Sequence, residues 1–169
     1  MSTTVKISDA VRSCARALPV LAVVGGAVIA MPSAHADNKR LNDGVVANVY
    51  TIQHQHGCTN NVVINPQLRL AAEWQANDVL NNRALDGDIG SDGTSVQDRA
   101  NNAGYQGIAS ETVAINPALA INGVEIMNQW YYRPDYMAIM SNCANIQMGV
   151  WSVNSLDRSV VVAVYGQPS

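Results

Sequence analysis

Lys6, Arg12 and Arg16 precede an unbroken apolar run from Val20 to Met31, and Pro32, Ser33 and Ala34-His35-Ala36 close it. A basic lead, a short apolar stretch and an A-x-A site together are the signature of a secretory signal peptide. Twelve residues rise about 18 Å as a helix, well short of the roughly 30 Å hydrocarbon core of a bilayer. Cys14 lies before the run, so it is not placed like a lipid-modified cysteine, and no twin arginine is present. The segment therefore predicts export and cleavage after Ala36, with no stable membrane insertion afterwards. What must fold is residues 37–169, enough chain for one domain with a real core.

Removing Lys6, Asp9, Arg12 and Arg16 with the signal takes the formal charge from −3 to −5. Nothing basic remains on the scale a nucleic-acid binder needs. At 48% hydrophobic and 14% charged, the chain is too apolar to be disordered. It has no Phe, so aliphatic residues, Trp and Tyr must build the core. Only Cys58 and Cys143 follow the signal. In an oxidising compartment they most simply form one disulfide, two buried free thiols being the alternative.

Helical patterns come first and strands last. Val45 to about His54 reads as a helix with Val46, Val49, Tyr50 and Ile52 as its apolar positions. Asn65-Pro66 signals an N-cap followed by Pro in the first turn, leading into Leu68, Ala71, Ala72, Gln75, Ala76, Val79 and Leu80 at helical spacing. Ser95-Val-Gln-Asp98 resembles a capping box for a short helix that Gly104 closes. Asn116-Pro117 repeats the start signal, predicting a longer helix with Ala120, Val124, Met127 and Tyr131 inward. Arg133-Pro134 ends it, and a short helix runs from Asp135 to Met140. Asn145–Trp151 and Ser159–Tyr165 read as a hairpin whose longer loop is Asn154–Arg158, and Glu111–Ile115 as a third strand. Helices on an antiparallel sheet make an α+β domain.

No nucleophile elbow, zinc-protease, paired C-x-x-C or phosphate-loop motif is present. His54 and His56 are the histidines left after the signal. On a helix they diverge by about 200°, so they read as surface residues rather than metal ligands. Asp86-Gly-Asp88-Ile-Gly-Ser-Asp92-Gly93 resembles a calcium loop, but started at Asp86 or at Asp88 it lacks the required oxygen ligands, so it reads as a Gly-Asp turn.

One series of short motifs stands out. It comprises Leu68-x2-Ala71-Ala72-x-Trp74-x-Ala76-Asn77, Ser91-Asp92-Gly93-Thr94-Ser95, Asp98-Arg99-Ala100, Ala103-Gly104-Tyr105, Ser110-Glu111-Thr112-Val113-Ala114, Trp130-x3-Pro134-x-Tyr136 and Ile146-x2-Gly149-Val150. In order and spacing it resembles the CAP superfamily, the cysteine-rich secretory, antigen-five and pathogenesis-related proteins, in its short bacterial secreted form. The resemblance spans residues 45–167, after a short lead at 37–44, and implies a three-layer α-β-α sandwich with a small antiparallel sheet.

The family's cleft commonly holds two histidines and acids that bind a divalent metal, often zinc. Here Asp88 stands at the first histidine position and Tyr136 at the second, while the acid is kept as Glu111. Zinc wants nitrogen or sulfur donors, and a phenol ionises only near pH 10. The resemblance thus implies no zinc site and no resident cofactor, with calcium or magnesium at Asp88 and Glu111 open if carbonyls and water complete the shell. Shared confinement of Asp88 and Glu111 would raise a carboxyl pKa, and such a pair could act as acid and base. The plainer expectation is a polar plug in which Tyr136 donates to a carboxylate. The family's reported binding of sterols, fatty acids and proteins implies a secreted or envelope-associated binding domain for an apolar small molecule or an extracellular protein. A hydrolase using Glu111 and Asp88 is the alternative. Met127, Met137, Met140 and Met148 could line a groove, though such spacing more often marks core.

Overall fold

The computed structural model describes residues 34–169, so the expected signal lies outside the described residues except for Ala34–Ala36. The elements are α1 (Ala34–Gln55), β1 (Val63–Ile64), α2 (Pro66–Asn81), α3 (Val96–Asn102), β2 (Gly107–Asn116), α4 (Gly123–Tyr131), α5 (Pro134–Met140), β3 (Gln147–Ser155) and β4 (Arg158–Pro168). Among the described residues, no helix is long and apolar enough to cross a membrane.

The sheet order is β1-β3-β4-β2. β4 is central and antiparallel to both β3 and β2, while β1 adds two residues parallel to β3. Side chains alternate across the sheet. Ala114, Met148, Val150, Val161, Ala163 and Tyr165 meet α1, α4 and α5 on one face. Ala109, Val113, Val160, Val162 and Val164 meet α2 and α3 on the other. This is the α+β, α-β-α layering expected from the sequence, with a mixed rather than purely antiparallel sheet.

Two helix starts follow their sequence signals. Asn65 Oδ1 accepts from the Gln67 and Leu68 N–H groups, capping α2 behind Pro66. Ser95 and Asp98 exchange hydrogen bonds in a capping box at α3, and Gly104 closes that turn at φ +88°. On α1, Val45, Val49 and Ile52 are buried, whereas the apolar Tyr50 is exposed and packs on His54.

The start of α4 departs from expectation. Asn116 ends β2, paired with Ser159, and the cap is Asn122, which forms a capping box with Glu125. The buried residues of α4 are therefore Ile126 and Trp130, while Val124 is 70% exposed and Tyr131 50%. The expected long loop of the hairpin is also absent. Asn154 pairs with Ser159 and Ser155 with Arg158, leaving only Leu156 and Asp157 to turn. All four methionines in question serve the core: Met140 and Met148 are buried in the cluster on the α1 side of the sheet, and Met127 and Met137 pack against that cluster.

Cys58 and Cys143 form a disulfide with Cα atoms 5.3 Å apart. It fastens the end of α1 to the segment before β3. Alongside it, buried Gln53 donates from Nε2 to the carbonyls of Asn142 and Asn145, joining the same two segments.

Candidate functional site

The site candidates gather at β2, which is an edge of the sheet. In an antiparallel ladder, residues of one parity turn their backbone groups away from the partner strand. On β2 these are the odd residues, and side-chain amides cap both ends of that free edge. Gln97 accepts from the Ala109 N–H and donates to the Gly107 carbonyl, and Gln129 does the same for both groups of Ile115. Such capping blunts an edge that could otherwise pair with another chain. Glu111 and Val113 lie between the two caps.

Glu111 is 1% exposed, its side chain on the face that meets α2 and α3. Arg99 of α3 donates from Nη2 to Glu111 Oε1 at 2.5 Å and to the Asp88 carbonyl at 2.8 Å, and from Nη1 to the Thr94 carbonyl at 2.7 Å. One guanidinium thus ties the 86–94 loop to β2. Glu111 Oε2 and Arg99 Nε are buried without hydrogen-bond partners.

Tyr136 lies in the first turn of α5 and is 2% exposed. It reaches the β2 edge from the opposite layer. The Arg133 guanidinium covers its ring at 3.6 Å from the centroid and pairs with Asp135 at 2.5 Å. The phenol oxygen is buried and has no hydrogen-bond partner, so the expected bond from Tyr136 to a carboxylate is not made. Asp88 is exposed on its loop, contributing its backbone carbonyl to Arg99.

The electrostatics follow from burial. Loss of water pushes the Glu111 carboxyl up to about 8; the Arg99 charge and hydrogen bond oppose this, and the Asp88 charge adds to it. Asp88 is raised by desolvation, with Arg133 and Arg99 pulling it back. The Tyr136 phenol is raised by burial, against the adjacent Val113 backbone and Arg133. A zinc ion does not fit these donors: no imidazole or thiolate is among them, and the phenol is driven away from ionisation. Among the described residues, no three His, Cys, Asp or Glu side chains converge to hold a metal. A dication at Glu111 would also meet the Arg99 charge at hydrogen-bond distance.

The other sequence candidates are elsewhere. His54 and His56 are exposed at the end of α1, and His56 Nδ1 bonds to the Ile52 carbonyl. The Asp86–Gly93 loop is organised by hydrogen bonds within the chain. Asp92 Oδ1 accepts from the Thr94 N–H and hydroxyl, and Asp78 from those of Ser91. Arg99 and Arg133 are the charged neighbours of the candidate residues that the sequence alone does not mark. The motif series names Arg99, and Arg133 directly precedes Pro134, but only the fold aims them at Glu111 and Tyr136.

These features make an α-β-α sandwich with Asp88, Glu111 and Tyr136 about one edge strand, and the fold is that of known SCP-domain structures. The chain resembles an outer surface protein of Borrelia burgdorferi, with a TM-score of 0.63 and 16% identity over 74% of this chain and 90% of that one. It also resembles an extracellular protein containing an SCP domain from Bacillus anthracis, with a TM-score of 0.62 and 15% identity over 81% of this chain and 45% of that one. A cysteine-rich secretory protein of Staphylococcus aureus gives a TM-score of 0.58 and 10% identity over 77% of this chain and 39% of that one. The chain spans less than half the length of the latter two. No protein-family model and no curated protein matches it. At these identities the likeness is one of fold.

Proposed function

We propose that this is an extracellular CAP-like domain that acts by binding an apolar small molecule and turns nothing over. The observation that carries the reading is the burial of Glu111 beneath Arg99, at 1% exposure. An acid must reach within hydrogen-bond distance of its substrate, directly or through one water, to transfer a proton. Neither Glu111 nor Tyr136 offers that access. The export signal in the sequence supports extracellular action.

Space for a ligand lies instead at the far end of the α1 layer. A cavity of about 650 Å³ has Leu41, Leu119, Ile121 and Val153 in its wall and the amides of Asn38 and Asn122 beside them. It is an open depression, and its size and largely apolar lining are in the range of small-molecule sites. Lipid extraction from the purified secreted protein tests this. A bound apolar molecule that is lost in Ala120→Trp is the expected result, with no turnover on peptide, ester or glycan panels.

The raised Glu111 carboxyl favours the hydrolase as a second reading, since a neutral acid near pH 7 suits proton donation. It requires Arg99 to swing clear, and it predicts an activity that Glu111→Gln abolishes. Finding that activity would replace the binding reading.

A further inference from the structure

Trp74 belongs to the motif series but not to the core: it sits on α2 and is 41% exposed. It stands in the wall of a cavity of about 260 Å³ between α2, the 86–94 loop and α3, with Gln75, Asp78, Asp92 and Arg99 around it. The loop is pinned to α2, because Asp78 accepts from the Ser91 N–H and from its hydroxyl at 2.7 Å each. Asp92 Oδ1 is engaged by Thr94, while Asp92 Oδ2 accepts from no group among the described residues. The cavity shares no wall residue with the one proposed for the apolar ligand, so it stands independently of that reading.

Two buried side chains of this wall each carry a polar atom without a partner. Gln75 is 0% exposed; its Nε2 donates to the Gly87 carbonyl, and its Oε1 meets no donor. Arg99 is 5% exposed; its Nη1 and Nη2 serve Thr94, Asp88 and Glu111, and its Nε–H meets no acceptor. Leaving such groups unsatisfied is costly, which favours an occupant that forms hydrogen bonds. The wall thus offers one free acceptor and one free donor, with carboxylates and an exposed indole beside them.

We propose that this cavity takes one ring of a neutral sugar, presented by an extracellular glycan. A hydroxyl brings one donor and two acceptor lone pairs, so ring hydroxyls serve Gln75 Oε1, Arg99 Nε–H and the Asp78 and Asp92 carboxylates alike. The faces of the ring carry C–H groups, and Trp74 offers a flat apolar surface for one of them. Other ligand classes leave part of the wall unmet. An ammonium suits the carboxylates and the indole but has no lone pair for Arg99 Nε–H. A phosphate or sulfate ester would face both carboxylates, and the guanidinium that could balance it is already paired with Glu111. An apolar molecule would leave Gln75 and Arg99 unsatisfied. The volume suits a single ring, since drug-sized ligands take about 300 Å³ or more.

The test is an NMR titration of the folded, disulfide-bonded protein with diacetylchitobiose, cellobiose, maltose and lactose at millimolar concentration. At least one should shift the Trp74 indole and the Gln75 side-chain amide while leaving the Trp130 and Trp151 indoles in place. Trp74→Ala should weaken that binding at least tenfold. Asp92→Asn, which keeps the oxygen that Thr94 uses, should weaken it severalfold. Tetramethylammonium, inorganic phosphate and calcium should each leave these signals unmoved. The proposal is overturned if none of the four sugars shifts Trp74, or if the shift survives Trp74→Ala. Equal shifts with the ammonium, the phosphate or calcium would overturn it too, the last by making the loop a cation site.

Discussion

Exchanging Glu111 for Gln should change how stability responds to pH more than it changes stability itself. Glu111 titrates at about 8 in the folded protein, against about 4.3 for an unfolded-chain glutamate. Between those values the folded state holds a proton that the unfolded state has released. Stability therefore falls as pH rises through this interval, and is undiminished by this group below about 4.3. At about 1.4 kcal/mol per pH unit, the loss from pH 5 to 8 is at most about 4 kcal/mol, reduced to the extent that Arg99 draws the proton off earlier. Gln has nearly the shape of the protonated acid and can still accept from Arg99, but it does not titrate. Urea unfolding followed by Trp fluorescence at several pH values and constant ionic strength should show the variant gaining on the parent as pH rises. Parallel curves would refute the reasoning, because they would mean that Arg99 keeps Glu111 ionised throughout. A variant that loses ground toward pH 8 would refute it more strongly.

Other perturbations probe the frame around the site. The Cys58–Cys143 disulfide links residues 85 apart in sequence, so replacing both with Ala should cost about 4 to 5 kcal/mol in denaturant unfolding. A loss under 1 kcal/mol would mean that Gln53 and the core hold the two segments together unaided. Gly149→Ala places a methyl group 2.0 Å from the Arg69 backbone nitrogen, where neither α2 nor β3 can yield, and should cost about 3 kcal/mol or more. Gly44→Ala is the contrasting case, since its methyl group meets nothing within 4 Å on α1. It should raise stability by about 0.5 to 1 kcal/mol, read as a higher denaturation midpoint.

The sequence carried the fold wherever the signal was local. Asn65-Pro66 and Ser95-x2-Asp98 cap α2 and α3 because the chemistry of a cap lies within four residues. Asn116-Pro117 offered the same kind of signal and was not used, because Asn116 is held in the β2–β4 ladder opposite Ser159. The working start, Asn122-x2-Glu125, was equally local but competed with it. With Asn122 as the cap, the inner face of α4 carries Ile126 and Trp130 rather than Val124 and Tyr131. The polar run at 154–158 misled in another way. Residues near the tip of a hairpin face water whether or not they pair, so composition does not mark the end of a strand there. β1 is two residues long and too short for any periodicity. Glu111, Asp88 and Tyr136 were legible as candidates through the family's motifs. That Arg99 would lock one and Arg133 cover another depends on α3 and α5 approaching a single edge strand from opposite layers, which no local pattern encodes.

Native mass spectrometry of the protein purified from culture medium addresses the central claim directly, that a buried, arginine-bound Glu111 leaves a domain that binds apolar ligands and holds no zinc. The predicted spectrum shows one chain beginning at Asp37, two hydrogens light for the disulfide, with an apolar molecule released on activation. One stoichiometric zinc ion per chain, lost in Glu111→Gln and unaccompanied by any organic ligand, would contradict it.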